Sequence, residues 1–112
     1  MQRIAEAFSR HRFDEAYPYL HEDVRWVLVG DREVVGRDAV IETCARSAAY
    51  LAGVASAFRR VKVVASDSCV VVDCEVDYAE GGGTSRVASC DLYDFTDGRL
   101  TTITSYTVQL RG

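Results

Sequence analysis

The hydrophobic pattern of this 112-residue chain changes its period near Phe58, and that change restricts the folds open to it. In most of the chain before Phe58, apolar residues recur every three or four positions, as in amphipathic helices. After Phe58 they alternate with polar residues, as in half-buried strands. The alternating segments predict strands at about 58–65, 69–78, 86–96 and 100–110. Helices followed by such a meander indicate an α+β fold, with the helices packed on one face of a curved antiparallel sheet.

The first half of the chain predicts three helices and one short hairpin. Residues 1–12 carry apolar positions at helical spacing, and Asp14 is a candidate N-cap for a short second helix that ends near His21. The β-branched and aromatic run at 24–29 predicts a strand that turns back into 33–35. A third helix begins at Gly36-Arg37-Asp38 with Asp38 as its N-cap, and its predicted inward face is Val40, Ile41, Cys44, Ala48, Leu51 and Ala52.

Length, charge and cysteine usage exclude several classes of protein. The length fits one domain over residues 1–112, and a net charge of −4 argues against electrostatic nucleic-acid binding. No apolar stretch approaches the ~20 residues that a membrane span needs, and the N-terminus lacks the apolar core of a signal peptide, so a cytoplasmic location is expected. The four cysteines form no CxxC and no metal-type spacing with the two histidines. We therefore expect reduced structural cysteines, no metal and no cofactor.

The alternation also predicts which side chains face inward. On one strand Val72, Cys74, Val76 and Tyr78 alternate with Asp73, Glu75 and Asp77, and three acids on one face require contact with water. The next strand is harder to orient, but the aromatic side chains favour an inward set of Val87, Ser89, Asp91, Tyr93 and Phe95. Asp91 is then a carboxyl that faces the interior.

The order of motifs resembles the NTF2-like superfamily and, within it, the SnoaL-like proteins. The resemblance covers nearly the whole chain and depends on four segments taken together. These are Phe13-Asp14-Glu15-Ala16, then Leu20-His21-Glu22-Asp23-Val24-Arg25-Trp26, then Gly36-Arg37-Asp38-Ala39-Val40, and finally Asp91-Leu92-Tyr93-Asp94-Phe95-Thr96-Asp97-Gly98-Arg99-Leu100 with Ser105-Tyr106. It implies a cone-shaped α+β fold in which the three helices and the curved sheet enclose a pocket. The superfamily includes ketosteroid isomerases, limonene-epoxide-type hydrolases and polyketide cyclases.

The resemblance implies a role for Asp91, but two other catalytic positions of ketosteroid isomerases carry residues that cannot perform the corresponding roles. The oxyanion-hole acid of ketosteroid isomerases corresponds to Asp91, whereas their general base falls at or beside Leu28 and their tyrosine near Ile4. Epoxide hydrolases of this superfamily use an Arg-x-Asp pair, but this chain has Val72-Asp73-Cys74-Glu75 there and Ser105 near the last-strand aspartate. Polyketide cyclases of this type depend on one acidic residue and on pocket shape, which this chain meets most easily.

Two functions remain open at this point. In the first, Asp91 is the acid/base or oxyanion donor of a cofactor-free isomerisation, cyclisation or dehydration, because burial raises the pKa of a carboxyl. Side chains at Tyr78, Ser89, Tyr93 and Ser105 orient a small apolar, cyclic or polyketide-like substrate between Trp26 and Phe95. In the second, the chain is a non-catalytic binding or dimerisation module in which Asp91 only fixes the pocket wall.

Two further expectations concern the histidines and the outer face of the sheet. His11 and His21 lie near predicted helix ends, where a solvated or capping role is expected. The outer face carries Ala88, Cys90, Leu92, Tyr106 and Val108 among charges, a patch that is large for an exposed surface. Because members of this superfamily commonly dimerise through that face, the resemblance implies a homodimer.

Overall fold

The computed structural model describes residues 1–110 and contains two α-helices, two 3₁₀ turns and six strands. The helices are α1 (Gln2–Ser9) and α2 (Arg37–Leu51), and the 3₁₀ turns are Phe13–Glu15 and Tyr17–Tyr19. The strands are β1 (Leu20–Leu28), β2 (Arg32–Val35), β3 (Ala55–Ala65), β4 (Cys69–Glu80), β5 (Gly83–Thr96) and β6 (Arg99–Leu110). The second predicted helical segment is thus two tight turns that end at β1; Pro18, in the second turn, has no backbone N–H to continue a helix.

One strand pairing departs from the predicted antiparallel sheet. The strands are arranged β2-β1-β6-β5-β4-β3, and β3 to β6 form the predicted antiparallel meander. β1 pairs with β6 in parallel, from Arg25 beside Thr102 to Leu28 beside Ser105, so the sheet is mixed. The spacing of hydrophobic residues predicts strands but not their neighbours, because the partner of β1 is chosen only when the meander closes back onto it. The sheet is curved and unclosed, and the helices lie in the N-terminal half of the chain, as in NTF2-like folds.

The inward face of α2 differs from the prediction. Val40, Thr43 and Cys44 are buried and Ser47 and Leu51 half-buried. The predicted inward positions at Ala48 and Ala52 are instead exposed. Two small polar side chains therefore replace the alanines on the covered face. Burial of the Thr43 hydroxyl is compensated because it donates a hydrogen bond to the Ala39 carbonyl over 2.9 Å.

The start of α2 also differs from the prediction by two residues. Gly36 occupies the N-cap position with φ +96°, a conformation that glycine adopts without steric cost. Asp38 lies in the first turn, where its carboxylate interacts favourably with the positive end of the helix dipole. Asp38 is therefore not the N-cap, although its charge still favours a helix that begins here.

The core lies between the helices and the concave face of the sheet. It includes Phe8 and Ala5 of α1, Val40 and Cys44 of α2, and the inward residues of β4 and β5. The convex face carries Asp73, Glu75 and Asp77, as the alternation predicts, and these acids are close to arginines. Asp77, for example, accepts a 2.7 Å hydrogen bond from Arg86. Within residues 1–110, no helix is both long enough and apolar enough to cross a membrane.

Candidate functional site

A cavity of about 270 Å³ opens between the end of α1, α2 and the concave face of the sheet. Most of its wall is apolar and comes from Phe8, Phe13, Trp26, Leu28, Leu51, Val76 and Val87. The polar groups on the wall are Ser9, His11, Thr43, Ser47, Tyr78, Ser89, Asp91, Ser105 and Thr107, with the exposed Arg32 beside them. An apolar cavity with a few convergent polar groups is the usual form of a small-molecule site.

Asp91 lies on the cavity wall because of the register of β5. It is opposite Val72 of β4 and Ser105 of β6, and all three side chains face the concave side of the sheet. The Ser9 hydroxyl donates a 2.8 Å hydrogen bond to Oδ2 of Asp91, and the Tyr93 hydroxyl lies 3.5 Å from the same oxygen. The carboxyl is therefore held by hydroxyl groups from two different elements.

Burial and hydrogen bonding act on Asp91 in opposite directions. Loss of solvation raises the pKa of this carboxyl above its ordinary value, because the charged form is disfavoured in the apolar cavity. Hydrogen bonds from Ser105, Ser9 and Tyr93 stabilise the anion and lower the pKa, but they compensate only in part. The result is a carboxyl that takes up a proton more readily than a solvated aspartate, as acid/base groups in enzymes do.

Ser9 and Tyr93 form a relay behind Asp91. Their hydroxyl oxygens are 2.6 Å apart, and Tyr93 is fully buried. Because Ser9 uses its single proton toward ionised Asp91, the Tyr93 proton is directed mainly at Ser9 and only weakly at the more distant Asp91 oxygen. Burial and the nearby Asp91 charge raise the pKa of Tyr93 well above its usual range, so it stays protonated. Tyr93 supports Asp91 from the core and does not line the cavity.

The other residues singled out from the sequence divide between the cavity and the core. Trp26, Tyr78, Ser89 and Ser105 line the cavity together with Asp91. The Trp26 indole N–H donates a 3.0 Å hydrogen bond to Ser105 Oγ, which leaves the Ser105 proton free for Asp91. Phe95 is buried in the core and, like Tyr93, is not part of the cavity wall.

Ser9 and His11 line the cavity although the sequence did not single them out as site residues, and His11 directly follows the C-cap of α1, at the helix end where it is expected. Its imidazole is half-buried on the cavity wall, with Nε2 2.8 Å from the Tyr78 hydroxyl. Desolvation lowers the pKa of His11 below its ordinary 6.5. The sequence carries one indication that His11 has an unusual position. Neither glycine nor asparagine follows α1, so a residue of another type must adopt the left-handed conformation that commonly ends a helix.

Among residues 1–110, no three His, Cys, Asp or Glu side chains come together in a way that could hold a metal ion. The cysteines in this range are all free, and burial raises the pKa of Cys74, near the site, to about 11. A thiol with that pKa is protonated at neutral pH and is a poor nucleophile.

Comparison with known proteins agrees with this architecture. The model of the SnoaL-like domain matches residues 1–103, and no curated protein shows a significant match. An NTF2-like protein of unknown function from Cytophaga hutchinsonii superimposes with a TM-score of 0.85 at 26% identity, covering 95% of this chain and 94% of that one. A proposed polyketide cyclase from Xanthomonas campestris gives 0.71 at 26% identity, with 92% and 83% covered. An LEH-like epoxide hydrolase from M. tuberculosis, 20% identical, shares the fold with a TM-score of 0.69 and coverage of 96% and 81%.

Proposed function

Because this chain belongs to the SnoaL-like domain family, whose model spans residues 1–103, we propose that it is a cofactor-free proton-transfer enzyme for a small apolar molecule. The substrate is cyclic or polyketide-like in shape, and the reaction is an isomerisation, cyclisation or dehydration. Asp91 acts as the acid/base or oxyanion donor. The polyketide cyclase description of the Xanthomonas relative supports this class of substrate.

The observation that carries the proposal is a desolvated carboxyl on the wall of an apolar cavity. Burial raises the pKa of Asp91, and the surrounding Phe8, Trp26 and Val76 offer no compensating charge. A carboxyl kept partly uncharged can donate a hydrogen bond to a developing oxyanion or exchange a proton with carbon. The hydrogen bonds from Ser9 and Ser105 would serve a structural role, but that role does not require Asp91 to line the cavity as well.

The size and shape of the cavity limit the ligand. A volume of about 270 Å³ is just below the ~300–1,000 Å³ typical of small-molecule sites. Trp26 and Phe8 pack edge to face, with ring centroids 5.1 Å apart, and give this part of the wall an aromatic surface. These features suit a compact ligand of one or two rings that has a carbonyl or enol oxygen directed at Asp91.

Hydrogen–deuterium exchange of a bicyclic ketone tests the proposal directly. We expect the protein to accelerate exchange of the α-hydrogens of 2-tetralone in D₂O, followed by ¹H NMR. The variant Asp91→Ala should lose this acceleration, whereas Asp94→Asn, which changes an exposed aspartate on the same strand, should keep it. Exchange that is unaffected by Asp91→Ala would contradict the proposed role of Asp91.

A non-catalytic binding module is the second candidate, and a specific observation favours it. Leu28 lines the cavity and Ile4 is buried in the core, so neither of these family positions carries a group that could move a proton. The enzyme and the binding module predict different results for ligand binding and for exchange. Binding of 2-naphthol, which mimics the enol of 2-tetralone, without any exchange of 2-tetralone would support the module. Trp26 is the only tryptophan of the chain, so quenching of its fluorescence reports that binding.

The outer face of the sheet supports a proposal that the protein forms a homodimer. Tyr106 and Val108 are 48% and 59% exposed on this face, and Ala88, Cys90 and Leu92 lie beside them as half-buried residues. A second copy would cover these apolar side chains. Light scattering coupled to gel filtration should give twice the chain mass, and Val108→Glu should shift it toward the monomer. A monomeric wild-type protein at micromolar concentration would contradict the dimer.

A further inference from the structure

We propose that His11 is the general base of this cavity and that Asp91, which lines the same cavity, acts as the hydrogen-bond donor. The inference rests on the proposed function and assigns the two halves of its proton transfer to separate residues. Neither the alternation of β5 nor the family resemblance points to His11. It follows from where α1 ends and from what surrounds the imidazole.

Termination of α1 does not explain why residue 11 is a histidine. The Arg12 amide bonds to the Ala7 carbonyl over 2.8 Å and the His11 amide to the Phe8 carbonyl over 3.0 Å, the two bonds of a Schellman motif. His11 has φ +67° in this motif, a left-handed conformation for which glycine is the usual residue. Main-chain groups alone complete the helix end, so the imidazole is available for another purpose.

The surroundings of His11 fix its ring on the cavity wall. Phe13 and Phe58 are in tilted contact with it, at centroid distances of 5.7 Å and 5.5 Å. The Tyr78 hydroxyl lies 2.8 Å from Nε2. When Nε2 carries the proton and donates it to Tyr78, the lone pair is on Nδ1, and Tyr78 stabilises the imidazolium that forms when Nδ1 is protonated. Tyr78 is then a positioning residue for His11.

Burial, rather than any neighbouring charge, favours the uncharged forms of both groups. The ionisable groups that share the wall with His11 are Tyr78 on β4, Asp91 on β5 and the exposed Arg32 on β2; α2 contributes only Thr43, Ser47 and Leu51. Arg10, the neighbour of His11, pairs with Glu6 over 2.8 Å. Desolvation lowers the pKa of His11 and raises that of Asp91, so burial drives both toward a neutral imidazole and a neutral carboxyl. These are the forms that a base and a donor need.

The proposed proton transfer needs only His11 and Asp91. The C–H bond next to the substrate carbonyl breaks, and its proton forms the N–H bond of a His11 imidazolium. The electron pair moves into a C=C bond while the carbonyl electrons move onto oxygen, where the Asp91 carboxyl donates its hydrogen bond. Return of the proton to the same carbon gives exchange, and its return to another carbon gives isomerisation. No oxidant, metal or cofactor takes part.

Conservative variants of His11 and Asp91 distinguish the base from the donor when their hydrogen–deuterium exchange of 2-tetralone is measured in D₂O. His11→Gln keeps a polar partner for Tyr78 but cannot take a proton, so we expect the enzymatic rate to fall by about 10²–10⁴. Asp91→Asn keeps a neutral donor, and we expect a loss of less than about 10²-fold. The wild-type rate should pass through a maximum at mildly acidic pH, since it needs neutral His11 and protonated Asp91. Asp91→Asn should lose the alkaline limb of that profile.

Controls keep the result interpretable. His21→Gln changes the other histidine of the chain, which lies outside the cavity wall, and should leave the rate unchanged. His11→Asn is a second variant that tolerates the left-handed backbone and cannot act as a base, and thermal melts check that both His11 variants fold. Full activity of a folded His11→Gln or His11→Asn protein would overturn the assignment while leaving the proposed function intact. The absence of exchange by the wild-type protein would instead refute the proposed catalysis, and the assignment with it.

Imidazole ¹⁵N NMR gives a second readout that does not depend on turnover. We expect 2-naphthol to shift the His11 nitrogen resonances and to leave those of His21 in place. If 2-naphthol shifts the Asp91 carboxyl ¹³C resonance but not the His11 nitrogens, the ligand binds without contacting His11 and the assignment is wrong.

Discussion

The substitution Ser9→Ala tests the hydroxyl relay that holds Asp91. Ser9 joins Asp91 at 2.8 Å and Tyr93 at 2.6 Å, and all of these contacts are at least partly buried. A hydrogen bond to an ionised group contributes about 1.5–3 kcal/mol and a neutral one about 1 kcal/mol. The Tyr93 hydroxyl is 3.5 Å from Asp91 and can turn toward it in the variant, which recovers part of the loss. We therefore expect Ser9→Ala to reduce the free energy of unfolding by about 2 kcal/mol.

That loss corresponds to a measurable change in melting temperature. An unfolding entropy of about 2.1 cal/mol/K per residue gives roughly 0.24 kcal/mol/K for a chain of this length, so Tm should fall by about 8 °C. Because the Ser9 hydrogen bond lowers the pKa of Asp91, its removal should raise that pKa further. Calorimetry measures the first effect, and carboxyl ¹³C NMR titration measures the second.

Two companion variants make the test specific to the relay. Ser56→Ala removes an exposed hydroxyl on β3 and should change stability by less than about 0.5 kcal/mol. Tyr93→Phe removes the other end of the relay, and a double-mutant cycle with Ser9→Ala should give a coupling of about 1 kcal/mol. If Ser9→Ala melts within 2 °C of the wild type and leaves the pKa of Asp91 unchanged, the relay does not hold Asp91 in the way described, by the same entropy arithmetic.

Two other predictions follow from groups with perturbed pKa values. Folding raises the pKa of Asp91, so the proton it binds stabilises the folded protein at low pH, and this stabilisation disappears as the pH rises through the folded pKa. The amide side chain introduced by Asp91→Asn does not titrate. In urea denaturation, the free energy of unfolding of the variant should therefore rise relative to that of the wild type above about pH 4. A difference between the two free energies that stays constant from about pH 4 to pH 8 would refute this. Cys44 is fully buried with its pKa raised to about 12, so it should react with a thiol reagent only after unfolding, and rapid labelling of Cys44 in the native protein, located by peptide mass analysis, would show that α2 opens.

The strands and the inward direction of Asp91 could be predicted because both depend on local alternation. Side chains at i and i+2 share one face of a strand whatever its neighbours are, so the acids of β4 identify its outer face and Tyr93 identifies the inner face of β5. The face of α2 was predicted less well. Small residues such as Ala48 and Ser47 differ little in their preference for burial, so the cavity under the helix, rather than hydrophobicity, determines which of them is covered.

The sequence by itself determined the order of helices and strands, the curved sheet's inner and outer faces and the placement of a carboxyl on the inner one. Only the tertiary structure brought Ser9 to Asp91 and His11 to Tyr78, pairs that are 82 and 67 residues apart in the chain. Only the structure placed β6 in parallel beside β1, so that Ser105 meets both Asp91 and the indole of Trp26. The physical reason is the range of the interactions. Periodicity is set by neighbours a few residues away, whereas a polar site forms where distant elements pack and must satisfy one another's hydrogen bonds.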